Sequence, residues 1–222
     1  ADAGVTLPDD IHFFPGIGLE AALSRFDTTV ACLQTPGSIR RVAEEICEDS
    51  IAHGVTTLEI RFAPQLHPIA SPEEIVDAAL DGIDGRAGLI LCGLYGEAPA
   101  ILDGHVEIAR TRKGVVGIDL AGAPHPSHRW GIADYSGPFG RALGLGIGRT
   151  VHAGEGGRPA AEIRQAIELL HAQRIGHGTS LLEDSAVVEL VINNEVVVEA
   201  CPTSNMQTGI ISSVDSHPLP KW

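Results

Sequence analysis

Two segments in the second half of the sequence carry side chains suited to proton transfer and metal binding. His152 and Glu155 lie three residues apart in TVHAGE (150–155), and His177 lies between two glycines in RIGHG (174–178). Histidine is the commonest metal ligand, and a nearby carboxyl group can move protons. A strand that ends in a glycine turn would also account for the first segment. Packing accounts poorly for the second, so together they predict a metal ligand with a second base or orienting group.

Two further segments place polar residues at predicted strand ends. GIDLAG (117–122) delivers Asp119 and then Gly122, and EACPTSN (199–205) places Cys201 beside Pro202. Asp119 alone is unremarkable, because carboxylates at strand ends often brace loops. Cys201 could act as a nucleophile, although a cysteine in such a position more often packs. The HxE and PCxxC pattern of zinc-dependent cytidine deaminases does not occur in the sequence.

Strand and helix signals alternate from Thr35 onward, and this alternation predicts how the polar residues are positioned. Apolar and β-branched runs predict six strands, at 55–62, 88–94, 115–120, 148–152, 174–177 and 196–200. Helical periodicity and capping residues predict helices that begin at 36, 72, 99, 135, 159 and 183, and a further helix near 217–218. Residues 1–31 carry helix and turn signals without a convincing strand.

Such alternation predicts an α/β fold of parallel strands joined by right-handed crossovers. An open doubly wound sheet and a closed TIM-type (β/α)8 barrel both fit this pattern. No GxGxxG follows a predicted strand, whereas polar residues follow several separate strands, as they do in barrels. The sequence therefore favours one barrel domain over residues 1–222, with about six of the eight strands present and the first and last strands lacking.

Composition limits the possible partners and location. The net charge of −14 argues against binding to a nucleic-acid backbone but leaves a neutral small molecule open. No run approaches the roughly 18 apolar residues of a membrane helix, and no signal-peptide pattern opens the sequence. The sequence contains four cysteines: Cys32, Cys47, Cys92 and Cys201. They are widely spaced and form no CxxC, which predicts buried free thiols and a cytoplasmic location. Nothing in the sequence indicates the oligomeric state.

Taken together, the motifs resemble those of the adenosine deaminase family. The segments LEIRFAP (58–64), GIDLAG (117–122), HAGE (152–155), RIGHG (174–178) and CPTSN (201–205) occur in the family's order, and the resemblance extends from about residue 26 to residue 215. It implies a TIM-type barrel that hydrolytically deaminates adenosine or a related 6-aminopurine nucleoside with a zinc-activated water. A metal ion lowers the pKa of a bound water to about 7, which makes hydroxide available at neutral pH.

The same resemblance implies roles for four residues. His152 would be a zinc ligand, and Glu155 would hold a proton near neutral pH and pass it to a purine ring nitrogen. His177 would orient the water and help to deprotonate it. Gly122 would offer its backbone to the purine.

The sequence departs from the family in its metal ligands. Members carry an HxH pair on the first strand and an aspartate on the eighth, but no HxH occurs in this chain, and Asp215 precedes the expected last strand. His125 and His128 lie three residues apart in a proline-rich loop and are a poor substitute. His152 is the one ligand that matches, and a single imidazole does not hold zinc firmly.

Two hypotheses follow from the missing ligands. In the first, this chain belongs to a complete enzyme with one zinc per active site, whose gene encodes an HxH upstream and a strand ending in aspartate downstream. In the second, it is a catalytically incomplete fragment or paralogue of the same fold with a binding or structural role.

Overall fold

The computed structural model describes residues 4–7, 11–122 and 124–222, and its secondary structure alternates as the sequence predicts. The strands are β1 (Glu59–Phe62), β2 (Gly88–Leu94), β3 (Val115–Ala121), β4 (Gly148–Ala153), β5 (Arg174–His177) and β6 (Val197–Glu199). The α-helices are α1 (Leu19–Cys32), α2 (Pro36–Ala52), α3 (Pro72–Ile83), α4 (Pro99–Thr111), α5 (Ser136–Gly144), α6 (Ala161–Leu170), α7 (Ser185–Asn193) and α8 (Pro202–Gln207).

The strands form a single parallel sheet in the order β1-β2-β3-β4-β5-β6. A doubly wound sheet would reverse its strand order at a switch point, whereas a barrel adds strands consecutively. The consecutive order therefore selects the barrel over the open sheet. Within the described residues, six strands of a (β/α)8 barrel are formed, and β1 and β6 each have one neighbouring strand.

Two helices begin where their capping residues predict. The Thr35 hydroxyl accepts a hydrogen bond from the Ser38 backbone N–H, at 3.1 Å, before α2. Before α3, the Ser71 hydroxyl accepts from the Glu74 N–H at 3.2 Å, and the Glu74 carboxylate accepts from the Ser71 N–H at 2.9 Å. Such capping boxes satisfy backbone donors that the first helical turn leaves without partners.

Some predicted boundaries differ from the structure. β1 begins at Glu59 rather than residue 55, because only residues 59–62 pair with β2. β6 is likewise shorter than predicted, because pairing with β5 is confined to 197–199. The helix expected near 217–218 is a short 3₁₀ segment, Leu219–Lys221, in which Pro220 has no backbone N–H to continue a helix.

The two faces of the sheet differ in character. The helix-facing side chains of the central strands are fully buried and apolar and belong to the core: Leu91, Ile118, Val151 and Ile175. The strand register places the polar side chains of the other face in one row: Cys92, Asp119, Thr150 and Arg174. The inner face of the partial barrel therefore carries charge.

Two further predictions from the sequence concern the cysteines, expected to be buried free thiols, and the absence of a membrane helix. All four cysteines are free, with Cys47 and Cys92 buried and Cys32 and Cys201 partly exposed. In the described part of the chain, every helix is too short or too polar to cross a bilayer.

A buried histidine on α4 makes folding stability depend on pH. His105 is 2% exposed, and burial lowers its pKa from 6.5 to about 4. The unfolded chain therefore binds this proton more readily, so stability present above pH 6.5 is lost as the pH falls towards 4, by at most roughly 3 kcal/mol.

We expect His105→Leu to lose less stability than the wild type between about pH 7 and about pH 4.5, as measured by urea unfolding. Its exposed control, His53→Gln, should follow the wild type. Equal pH dependence in the wild type and His105→Leu would contradict this assignment.

Candidate active site

The residues predicted to do chemistry meet at the carboxyl ends of β4 and β5. The register pairs His152 with Gly176 and Ala153 with His177, so the two imidazoles lie on neighbouring strands with ring centroids 5.3 Å apart. The Glu155 Oε1 atom lies 3.4 Å from His177 Nδ1. Glu155 and His177 are buried, and the His152 side chain is 19% exposed. The structure thus brings the three side chains together, while their roles stay predictions.

A glycine makes the close approach of the two imidazoles possible. A Cβ atom at Gly176 would lie 3.3 Å from Cγ of His152, which is tighter than ordinary contact. The next residue, His177, has a φ of 68°, a left-handed conformation that non-glycine residues seldom adopt. The RIGHG segment therefore holds its histidine in an unfavourable backbone conformation, next to a glycine at which a side chain would crowd His152.

A fully buried carboxylate supports His152. Asp119 Oδ1 lies 3.1 Å from His152 Nδ1 and accepts a hydrogen bond from its N–H, so Nε2 is the ring nitrogen left for another partner. Burial has the largest influence on the pKa of His152 and lowers it, but the charge and hydrogen bond of Asp119 raise it above its ordinary value. A carboxylate behind an imidazole is the usual support of a metal-binding histidine. Sequence reasoning treated Asp119 as a loop brace and missed this contact.

The Asp119 carboxylate belongs to a network of charges on the inner face of the sheet. Arg61 donates to Asp119 Oδ2 at 3.2 Å and to Glu199 Oε2 at 2.9 Å. Arg174 Nε lies 2.9 Å from Glu199 Oε1, and its Nη1 donates to Glu59 at 2.6 Å. Burial lowers the pKa of Arg61, but Asp119 and Glu199 raise it overall, so the guanidinium stays charged. The network joins β1, β3, β5 and β6, and it was not predicted from the sequence.

An amide supports the second imidazole. Asn205 on α8 is fully buried, and its side-chain amide lies 2.9 Å from His177 Nδ1 and 3.1 Å from His217 Nε2. Burial lowers the pKa of His177, and the neighbouring Glu155 and Asn205 only partly oppose it. His177 is therefore neutral near pH 7. The asparagine of the CPTSN segment was not among the residues predicted from the sequence to have a role.

The other candidate residues lie at or beside this edge of the sheet. Gly122 follows β3 directly with a φ of 76°, and no heavy atom of the described residues, its chain neighbours aside, lies within 4 Å of the position its Cβ would occupy, so the space beside its Cα is open. Burial raises the pKa of the Cys201 thiol, which disfavours a nucleophilic thiolate. His125 and His128 contact each other in a loop, with ring centroids 5.8 Å apart.

The described residues do not form a complete metal site. Among them, no three histidine, cysteine, aspartate or glutamate side chains form a group that could hold a metal ion. His152 offers one imidazole, whereas a catalytic zinc ion takes three protein ligands. The side chains described here therefore do not fit zinc unaided, as the absence of HxH predicts.

Comparison with known proteins gives a consistent result. Residues 7–222 match the family model described as adenosine deaminase. An adenosine deaminase of Clostridium perfringens is 35% identical over 218 residues, which cover 92% of this chain and 64% of the relative. The chain thus spans less than two thirds of that relative's length.

Solved structures show the same fold. The structure of an adenine deaminase from Arthrobacter aurescens matches with a TM-score of 0.83 and 25% identity, covering 99% of this chain and 71% of that one. An amidohydrolase from Burkholderia ambifaria, solved with bound Zn, matches with a TM-score of 0.79 and 22% identity, covering 90% of this chain and 58% of that one. At that identity, the second match shows the fold alone.

Removing the buried charge at Asp119 should destabilise the protein. We expect Asp119→Asn to lower the free energy of unfolding by about 1–3 kcal/mol, because its charge-assisted bonds to Arg61 and His152 weaken in a buried site. Asp77→Asn is the matched control, since Asp77 is 57% exposed and pairs with Arg112 at 3.2 Å. It should change stability by less than about 0.5 kcal/mol. Urea denaturation measures both, and equal losses would contradict the buried network.

Proposed function

This chain belongs to the adenosine deaminase family, and we propose that it forms part of an active site that hydrolytically deaminates adenosine or a related 6-aminopurine nucleoside. In this reaction water replaces the 6-amino group, which leaves as ammonia. The observation that carries the proposal is the meeting of His152, Glu155 and His177 at one edge of the sheet. We further propose that residues 1–222 act as a single barrel-type domain and bind a small molecule rather than nucleic acid.

Each side chain has a distinct task in the proposed reaction. Glu155, as a protonated carboxyl group, donates its proton to a purine ring nitrogen, which draws electron density from the carbon that bears the amine. That carbon then becomes more open to attack by water. His177 orients the water and assists its deprotonation, and the open backbone at Gly122 contacts the purine.

We propose one zinc ion per complete active site, with His152 as one ligand. The support is local: Asp119 accepts a hydrogen bond from the Nδ1–H group of His152, which leaves Nε2 of the neutral ring as the atom that would bind a metal. The described residues supply no second or third ligand in a suitable group. A firmly bound zinc ion therefore requires ligands in addition to those described.

The shortage of ligands supports a second candidate function. A catalytically incomplete fragment or paralogue would keep the fold and bind a ligand or another protein without turnover. Metal analysis and an adenosine turnover assay on the product of the complete encoding gene distinguish the two functions. About one zinc per chain together with ammonia release supports the enzyme, whereas a metal-free, inactive product supports the incomplete protein. Adenine and N6-modified adenosines, assayed alongside, identify the substrate.

The proposed role of Glu155 predicts a loss of turnover without a loss of zinc. In the active gene product, Glu155→Gln should lower turnover by at least about 100-fold, because the amide cannot act as the general acid. Zinc content should stay nearly unchanged, since Glu155 is not proposed as a ligand. Glu183→Gln, the same chemical change at an exposed position, is the control and should keep wild-type turnover. Undiminished turnover in Glu155→Gln would refute the role.

A further inference from the structure

A line of buried polar side chains leads from His177 to the last residues of the chain. The Asn205 amide lies between the His177 and His217 imidazoles, with one terminal atom, placed as Oδ1, 2.9 Å from His177 Nδ1. The other terminal atom, placed as Nδ2, is 3.1 Å from His217 Nε2. Asn205 is fully buried and His217 is 4% exposed. With water excluded, these groups must satisfy one another's hydrogen bonds.

A backbone donor fixes the protonation of His217. The Leu219 backbone N–H donates to His217 Nδ1 at 3.0 Å. A backbone amide can only donate, so Nδ1 must be an acceptor and carries no proton. Burial also lowers the pKa of His217, which favours the neutral ring. A neutral imidazole has one N–H, and in His217 that N–H is on Nε2.

The proton on His217 Nε2 determines the orientation of the Asn205 amide. An N–H on His217 requires the amide oxygen opposite it, since two donors cannot form a hydrogen bond. The reverse orientation would require both nitrogens of His217 to accept, which a neutral or protonated imidazole cannot do. The oxygen and nitrogen of an amide side chain occupy nearly the same space and are assigned from their hydrogen-bond partners. The Asn205 NH2 group therefore faces His177 and donates to its Nδ1. Glu155 Oε1 also faces this nitrogen, but at 3.4 Å it lies beyond the usual N–H···O distance, whereas the amide lies at 2.9 Å.

We infer that Asn205 and His217 are positioning residues that fix His177 as a neutral imidazole with its proton on Nε2. Within the described residues, His177 Nε2 has no hydrogen-bond partner, so its N–H is available to an incoming group. The Nδ1 atom of His152 shows the opposite arrangement, because it faces the Asp119 carboxylate, which can only accept, and so donates a hydrogen bond to it. Nδ1 therefore donates in His152 and accepts in His177.

This inference, where it rests on the proposed function, refines the role of His177. In its resting tautomer His177 orients a water molecule by donating a hydrogen bond to the water oxygen. It has no acceptor nitrogen directed at that water. Deprotonation of the water through Nε2 would require His177 to lose its own Nε2 proton first, so orientation is the part of the role that the resting enzyme performs directly.

The tautomers can be measured without substrate or metal. We would record long-range ¹⁵N–¹H correlation spectra of the ¹⁵N-histidine-labelled chain with a chelator present at neutral pH, and assign the rings with His177→Gln and His217→Gln. We expect a pyridine-type Nδ1 resonance and a pyrrole-type Nε2 resonance for both His177 and His217. A proton on Nδ1 of His177 in the wild type would overturn the inference.

Two substitutions test how the tautomer is fixed. In Asn205→Asp the carboxylate can only accept, so the His177 proton should move to Nδ1 while His217 keeps its proton on Nε2. His217→Gln removes the ring that orients the amide, so the His177 signals should shift towards a mixture of tautomers. His217→Gln still tests the inference if the buried charge of Asn205→Asp prevents folding. His53→Gln, at an exposed position, should leave His177 unchanged, and an unchanged His177 in His217→Gln would contradict the mechanism.

These outcomes are independent of turnover. A chain that shows the expected tautomers but has no deaminase activity as the complete gene product would refute the proposed function and leave the inference standing. An active enzyme whose His177 carries its proton on Nδ1 would refute the inference and leave the proposed function standing.

Discussion

The inner face of the sheet depends on the burial of one charged carboxylate, Asp119. Removing an ion of this size from water costs several kcal/mol, and only close partners offset that cost. Arg61 and His152 provide them, at 3.2 Å and 3.1 Å. Because Arg61 also binds Glu199, the compensation of one buried charge connects β1, β3 and β6 and places the imidazole of β4 in a fixed orientation.

The apolar face of the sheet determines where these polar groups lie. Leu91, Ile118, Val151 and Ile175 are fully buried against the helices. A shift of one residue in the register of any of these strands would turn its apolar side chains away from the helices, so the register is strongly specified. The row that contains Asp119 is fixed as a result, and His152 follows two residues after Thr150 on the same face. Ordinary core packing therefore positions the candidate site.

The sequence predicted the elements well where the signal was local. The boundaries of β2 and β5 were predicted correctly because short apolar runs begin or end at glycine or a polar residue, and the starts of α2 and α3 followed from a cap and a proline. β1 was predicted too long, since the β-branched residues Val55, Thr56 and Thr57 have strand propensity but no pairing partner in β2.

The candidate site was predicted only in part, for a physical reason. His152, Glu155 and His177 were found because they lie in short motifs with glycine. The supporting contacts join Asp119 to His152 across 33 positions, His177 to Asn205 across 28 and Asn205 to His217 across 12. No local pattern specifies which distant side chain completes a hydrogen bond, and the Leu219 backbone N–H that fixes His217 carries no sequence signature at all.

The different supports of the two imidazoles follow from their proximity. With ring centroids 5.3 Å apart, two protonated imidazoles would repel each other in this largely buried site. A carboxylate behind each ring would raise both pKa values and favour that state. Here Asp119 stands behind His152, where Arg61 balances its charge. The atom nearest to His177 Nδ1 belongs to the neutral Asn205 amide, at 2.9 Å, with Glu155 Oε1 farther away at 3.4 Å, and burial lowers the His177 pKa overall. This asymmetry allows two neighbouring residues of the same type to differ in pKa and in the hydrogen bond made at Nδ1.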